Sequence, residues 1–192
     1  MLPLVLASSS AYRKLLLERL ALNFTTASPE IDESPAPHEH PSALALRLAE
    51  EKAQALAGRF PQHLIIGSDQ VAALHNQCIG KPNNFDNAFA QLRAASGQSV
   101  TFYTGLALFN SQSKRLHSAC IPFTVYFREL SDDAIERYLR LEQPYDCAGS
   151  FKAEGLGVSL FQRTEGEDAT SLIGLPLIRL VDFLTSEGYS VP

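Results

Sequence analysis

The chain has 192 residues, 45% of them hydrophobic, and a net charge of −5. That length can bury a proper core, as one domain or as two closely packed lobes. The acidity argues against a nucleic-acid backbone as main partner, which needs a basic face, but leaves room for an anionic small ligand held by a few local cations.

In chain order, the apolar run at 4–7 reads as a buried strand. Leu15, Leu16 and Leu20 then recur at helical spacing, so S-S-S-A-Y-R at 8–13 lies on a strand-to-helix turn. One serine suffices as an N-cap. The start of a helix also offers free N–H groups and the positive end of its dipole, an anion site over which Arg13 can reach back. Residues 24–27 form a short strand, and S-P-E-I-D-E-S-P-A-P-H-E-H-P (28–41) is a loop whose four prolines keep its acids off any helix or central strand. Helical spacing returns over 42–56, with Gly58 as its stop. Residues 63–74 are strand-like, 75–79 turn that strand back, and G-K-P-N-N (80–84) is a loop before a helix over 85–96 that ends at Gly97. The β-rich runs at 100–109 and 116–127, joined by N-S-Q-S-K, predict a hairpin of long strands. A helix over 132–141, a glycine-bearing loop at 145–157, a strand at 158–161 and a helix over 174–184 with Pro176 in its first turn complete the chain. The ordering predicts a mixed, twisted α/β sheet flanked by helices, with two lobes around a cleft.

Three cysteines, Cys78, Cys120 and Cys147, are odd in number and widely spaced, so they read as reduced thiols in a cytosolic protein. Residues 2–7 are too short for the apolar region of a signal peptide, and no run is long enough to span a bilayer. The expectation is a cytoplasmic protein without a membrane partner.

The residues that can carry chemistry lie in the turns: Ser8, Arg13, Glu30, Asp32, Glu33, Glu51, Lys52, Asp69, Gln70, Lys81, Asp146, Lys152 and Glu154. Cations alternate with carboxylates, the mixture that metal-assisted phosphate chemistry needs. Asp69 is the sharpest candidate. It ends the apolar run L-I-I-G-S-D, so it is expected at a strand's C-terminal end, where α/β sheets bind ligands, and Gly67 beside it leaves room for a ligand to approach. A solvated charge run explains Glu33 equally well. An exposed pair with Glu51 explains Lys52, and Lys81 in G-K-P is one lysine in a turn. G-S-D-Q-V is not the G-x-S-x-G of a serine hydrolase, and no P-loop pattern occurs. H-E-H at 38–40 lacks metal-ligand spacing and reads as exposed.

Taken together, L-A-S-S-S-x-x-R, I-D-E, E-K-A, G-S-D-Q-V, G-K-P, Y-T-G-L-A-L and D-x-A-G…G-L-G…G-L-P closely resemble the Maf family of nucleoside triphosphate pyrophosphatases, in order and spacing, from Leu4 to about Leu184. The resemblance implies an elongated fold like that of the inosine-triphosphate pyrophosphatases, with an active cleft between two lobes, and usually a homodimer. It implies hydrolysis of a nucleoside triphosphate to a monophosphate and pyrophosphate with a Mg²⁺- or Mn²⁺-type ion. By position, phosphate binding falls on Ser8, Arg13, Lys52 and Lys81, the metal site on Glu33 and Asp69, and the catalytic carboxylate on Asp69.

Tyr12, Gln70 and Glu154 stand where the branch of this family acting on dTTP and UTP carries arginine, threonine and glutamine. The combination looks like the branch acting on 7-methyl-GTP. N7-methylation makes guanine cationic, which suits an aromatic face and a nearby carboxylate, and a buried Glu154 would accept from both N1–H and the exocyclic amine. Cys147 replaces a lysine of the other branch, a charge that Lys152 is placed to restore. The implied role is removal of modified nucleotides before they enter nucleic acid. The alternatives are the same reaction on UTP, dTTP or another odd base, or a nucleotide-binding regulator of cell division.

Overall fold

The computed structural model describes residues 1–191. Strands β1 (Leu4–Ala7), β2 (Phe24–Ala27), β3 (Leu64–Leu74), β4 (Gln77–Ile79), β5 (Ser99–Asn110), β6 (Arg115–Phe127) and β7 (Phe161–Gly166) form one mixed sheet in the order β2-β1-β3-β5-β6-β7, with β4 paired to the far end of β3. Helices α1 (Ala11–Glu18), α2 (Pro41–Ala55), α3 (Phe85–Ala95), α4 (Asp132–Glu142), α5 (Ala169–Ile173) and α6 (Leu177–Ser186) flank it.

The pairing of β3 creates the cleft. Along one edge, β3 pairs in parallel with β1 at Leu64–Ile66 and antiparallel with β4 at Ala72–Leu74. Between these stretches Gly67–Val71 has no strand on that edge, while β5 covers the other edge throughout. The gap lies beside Asp69 and Gln70. On either side sit separate cores. Leu4, Leu6, Leu16, Leu17 and Ile66 pack under α1 and α6. Val5, Ala49, Ala53 and Ile65 pack on the opposite face under α2. At the other end Phe102, Val125, Phe127, Leu92, Ile135 and Leu139 form the core beneath α3 and α4.

Helix α2 crosses the sheet very closely. A Cβ at Gly67 would lie 2.1 Å from the Ala49 carbonyl oxygen, and one at Gly105 would lie 2.0 Å from that of Ala45. Gly67 therefore admits the helix backbone, not a ligand as its neighbourhood to Asp69 suggested, and this contact brings Lys52 over β3. Gly67→Ala is expected to destabilise the fold by about 3 kcal/mol, because the Cβ would meet backbone on a packed helix that cannot yield without repacking. A urea midpoint equal to that of the unsubstituted protein would contradict this account.

Several local expectations are corrected. Leu15 is 61% exposed and Leu17 is buried instead, so the apolar stripe of α1 is rotated by part of a turn. Helix α2 is capped at Leu56 in a right-handed conformation, and Gly58 plays no left-handed part. Residues 158–161 are not a strand: Leu156–Leu160 wind as a 3₁₀ turn and the strand begins at Phe161. The last helix begins at Leu177 with Pro176 as its N-cap, and the short α5, absent from the sequence reading, precedes it. Other expectations hold. His75 and Asn76 both take positive φ and turn β3 into β4, Gly97 takes φ +67° after α3, and β5 and β6 form the long hairpin.

Candidate active site

A cleft of about 880 Å³ opens at the gap in β3, lined by the 7–13 turn, Glu33, Lys52, Asp69, Gln70 and Lys81. A smaller hollow of about 160 Å³ adjoins it and shares Tyr12, Arg13, Gln70 and Lys81, adding Cys147, Phe151 and Glu154. Asp146 lines both. Of the residues singled out from the sequence, Ser8, Tyr12, Arg13, Glu33, Lys52, Asp69, Gln70, Lys81, Asp146 and Glu154 line one of these spaces, whereas Glu30, Asp32, Glu51 and Lys152 line neither.

Strand alternation divides the chemistry, since Asp69 and Gln70 point to opposite faces of β3. On the α2 face, Lys52 donates to Asp69 at 2.6 Å and pairs with Glu33 at 2.7 Å, so its ammonium bridges the two carboxylates. Lys52 and Asp69 are buried, whereas the Glu33 side chain is 61% exposed. The hydrogen bond from Lys52, opposed by partial burial, holds the Glu33 carboxyl below its ordinary value. The expected exposed Lys52–Glu51 pair does not form, because Glu51 pairs with Arg47 one turn earlier. Glu30 and Asp32 are solvated, and Asp32 accepts from the Ser34 N–H.

Arg47, which the sequence reading passed over, anchors the loop that carries Glu33. Its guanidinium donates twice to Glu39 at 2.8 Å and once to the Ser34 carbonyl at 3.1 Å. Those bonds hold the Glu39 carboxyl down to about 2. The spacing from Arg47 to Glu51 along α2 was a visible signal; its bond back to Glu39 was not. His38 and His40 are exposed as expected, and His40 caps α2 by accepting from the Ser42 N–H.

On the turn after β1, Ser10 is the N-cap of α1 and Ser8 is buried at its side, accepting from the Ser10 N–H at 3.1 Å. Arg13 donates to the Gly174 carbonyl at 2.8 Å and reaches the Ser8 hydroxyl at 3.5 Å. Desolvation lowers the Arg13 pKa, while Asp69 and Glu33 act to raise it. A helix start, a buried hydroxyl and a cation thus face the same space as the bridged carboxylates. Lys81, exposed on the loop after β4, faces it from across the cleft.

The smaller hollow is acidic around Tyr12. Burial, then Cys147, Asp146 and Glu154, push the phenol up to about 12, so it stays neutral at physiological pH. Burial and the neighbouring Asp146 push Cys147 up to about 12 as well, which keeps it an unreactive thiol. Two expectations fail here. Glu154 is exposed at the rim and not buried, because it sits in the loop that leads into the 3₁₀ turn. Lys152 does not restore the missing cation, since its ammonium turns away to the Glu142 carbonyl at 3.3 Å. Ser68 is no nucleophile: it is fully buried and donates to the Gly105 and Gly174 carbonyls.

Among the described residues, no group of three or more His, Cys, Asp or Glu is placed to hold a metal. Asp69 and Glu33 nonetheless converge on one ammonium. That is the donor set of a Mg²⁺-type ion, which takes one or two carboxylates and completes its shell with phosphate oxygens and water. Among the described residues no helix is long and apolar enough to cross a membrane.

Comparison with known proteins shows relatives along nearly the whole chain. The family model described as "Maf-like protein" matches residues 3–187. The chain is 66% identical over 192 residues, the full length of both, to a protein of Pseudomonas fluorescens named 7-methyl-GTP pyrophosphatase. It is 63% identical over 189 residues, 98% of each chain, to one of the same name from Pseudomonas aeruginosa. Among solved structures, a HAM1 protein from Coxiella burnetii superposes with a TM-score of 0.53 at 15% identity, covering 97% of this chain and 100% of the other, a likeness of fold. With its motifs in order along one sheet and gathered around one cleft, the chain belongs to the Maf-like protein family.

Proposed function

We propose that this protein is a nucleoside triphosphate pyrophosphatase that hydrolyses 7-methyl-GTP to 7-methyl-GMP and pyrophosphate, and so keeps a modified nucleotide out of nucleic acid. The observation that carries the reading is the two-part cleft. A triphosphate-sized arm is lined by Arg13, Lys52, Lys81 and two carboxylates, and it opens into a smaller hollow where a neutral tyrosine stands among Asp146 and Glu154. An aromatic face with nearby carboxylates favours a cationic ring over a neutral one. The names of the Pseudomonas relatives support the same substrate.

In this reading Ser8, Arg13, Lys52 and Lys81 hold the phosphate oxygens. Asp69 takes a proton from a water whose oxygen bonds to the α-phosphorus. The bond from that phosphorus to the bridging oxygen breaks, and pyrophosphate leaves with its charge met by Arg13, Lys52 and Lys81. Asp69 and Glu33 would hold a divalent cation, which supplies neutralisation of phosphate charge when bound. Lys52 would then give up part of its bridge to the phosphates. Tyr12 stacks on the base, and Glu154 at the rim accepts from its N–H groups. The family resemblance adds a homodimer in the cytoplasm to the reading.

The test is pyrophosphate release from 7-methyl-GTP, GTP, UTP, dTTP and ITP, with Mg²⁺ or Mn²⁺ and with chelator. Expected is turnover of 7-methyl-GTP at least about tenfold above UTP, the worth of one good discriminating contact, and its loss in chelator. A preference for UTP or dTTP would overturn the account of the base hollow and keep the reaction. Release from none of them would favour a nucleotide-binding regulator.

A further inference from the structure

Three polar side chains, Ser68, Thr104 and Ser171, are fully buried, and the reaction makes direct use of none. Ser68 and Thr104 form a belt from the sheet to the Gly174 and Ser171 carbonyls at α5, whereas the Ser171 hydroxyl donates to the Asp168 carbonyl. The Thr104 hydroxyl donates to the Ser171 carbonyl at 2.9 Å and accepts from Gln70 Nε2 at 3.1 Å. Gln70 Nε2 also lies within bonding distance of the carbonyls of Ser171 at 2.8 Å and Leu172 at 3.1 Å, so its two N–H groups are shared among three acceptors. Turning the amide over would set its oxygen against two carbonyl oxygens and against a hydroxyl whose proton is already committed. The amide nitrogen is therefore held inward. Gln70 Oε1 has no partner among the described residues and is not sealed from solvent, so it is left to the cleft and the hollow that Gln70 lines.

We propose that Thr104 is a positioning residue that, together with the α5 carbonyls, makes Gln70 an acceptor-only reader of the base; this rests on the pyrophosphatase reading above. An acceptor-only contact favours a base whose facing edge donates. Guanine offers N1–H and an amine on one edge, and the positive charge of an N7-methylated ring strengthens both donors. Uracil and thymine offer one N–H flanked by two carbonyls, either of which would face the Gln70 oxygen unpaired. A glutamine free to rotate would present its NH₂ to those carbonyls and lose the distinction. Ser68 belongs to the same belt but acts elsewhere. Its hydroxyl donates to the Gly174 carbonyl, which also takes Arg13 Nε, so it bears on the phosphate arm common to all nucleotides.

The experiment compares kcat/KM for 7-methyl-GTP and UTP in Thr104→Val, Thr104→Ser and Ser68→Ala. Thr104→Val is expected to lower the 7-methyl-GTP to UTP ratio about three- to tenfold, the scale of one neutral hydrogen bond, chiefly through KM. Thr104→Ser keeps the hydroxyl and is expected to restore the ratio. Ser68→Ala is expected to lower both values in parallel and leave the ratio alone. A folded Thr104→Val protein with a ratio within about twofold of the parent would overturn the proposal, as would a Ser68→Ala protein that shifts the ratio as far. Should Thr104→Val fail to fold, Thr104→Cys, with its weak donor, reads the same ratio. If the parent protein releases pyrophosphate from neither nucleotide, the reaction reading falls on its own. The ratio of dissociation constants from calorimetry then decides the role of Thr104.

Discussion

Asp69→Asn is expected to lower turnover about 10³-fold, within the range of a positioned general base, while nucleotide binding stays within a few-fold of the parent or tightens. The two halves of this result come from the geometry. Asp69 is buried at the gap in β3 with its carboxylate on the Lys52 ammonium at 2.6 Å. Asparagine fills the same volume and can still accept from Lys52, which remains paired with Glu33 at 2.7 Å. In the proposed mechanism, what is lost is the group that takes the proton from water and one of the two carboxylates that would hold a cation. Ser8, Arg13 and Lys81, the proposed phosphate-binding groups, are untouched, and a negative charge has been removed from the cleft. Single-turnover pyrophosphate release alongside calorimetric binding separates the two effects. Turnover within about tenfold of the parent would remove Asp69 from the chemistry.

Lys52→Met is expected to cost both activity and stability, which distinguishes it from Asp69→Asn. The Lys52 side chain is 9% exposed and that of Asp69 12%, so the pair is hardly screened, whereas the share of Glu33 must be discounted for its 61% exposure. Removing one partner of a buried pair leaves an uncompensated charge, and a loss of about 3 kcal/mol follows at neutral pH. Turnover should fall about 10²-fold with the loss of a cation that the proposed mechanism sets against the phosphates. The pH dependence has a definite sign. Lys52 holds the Glu33 carboxyl below its ordinary value of 4.5, so that pair's stabilisation is complete above about 4.5 and fades as the pH falls through the lower native value. In Lys52→Met this component is absent, and stability should decline less steeply below pH 4.5. Added Mg²⁺ should recover part of the lost stability, since the carboxylates then face each other without a cation. Urea midpoints across pH, with and without Mg²⁺, read all three effects. An unchanged midpoint at neutral pH would mean that the bridge contributes nothing.

The sequence by itself determined most of the elements and named residues that the fold gathers at one cleft. Alternating and continuous apolar runs located β1, β3, β5 and β6, because the periodicity of buried side chains is a local property of the chain. Ser8, Arg13, Glu33 and Lys81 could be named because turns carry ligands, and all seven, with Lys52, Asp69 and Gln70, because their motifs occur in family order. Asp69 read as the end of a strand but lies in the middle of β3, where the gap on one edge and not a strand terminus opens the cleft, and Lys52 lies within α2. Where local signals were weak, the elements shifted. Residues 158–161 read as a strand, since their apolar residues match either period, but fall mostly in the 3₁₀ turn at Leu156–Leu160, and α5, at 5 residues, is too short to display a period.

Only the tertiary structure decided what each side chain does. Lys52 read as a surface pair with its neighbour until the α2 backbone, admitted by Gly67 and Gly105, set it over Asp69. Glu154 read as buried until the loop that carries it placed it at the rim. Thr104 is one of two threonines in the β-rich run at 100–109, and its meaning depends on Gln70 on the neighbouring strand and on the Ser171 carbonyl, far along the chain. Hydrogen-bond partners distant in sequence leave no periodic trace, whereas burial of a strand or helix face does. That is why the list of residues was present in the chain, while the bridge, the pinned amide and the anchored loop emerged only from the packing of α2 and α5 against one sheet.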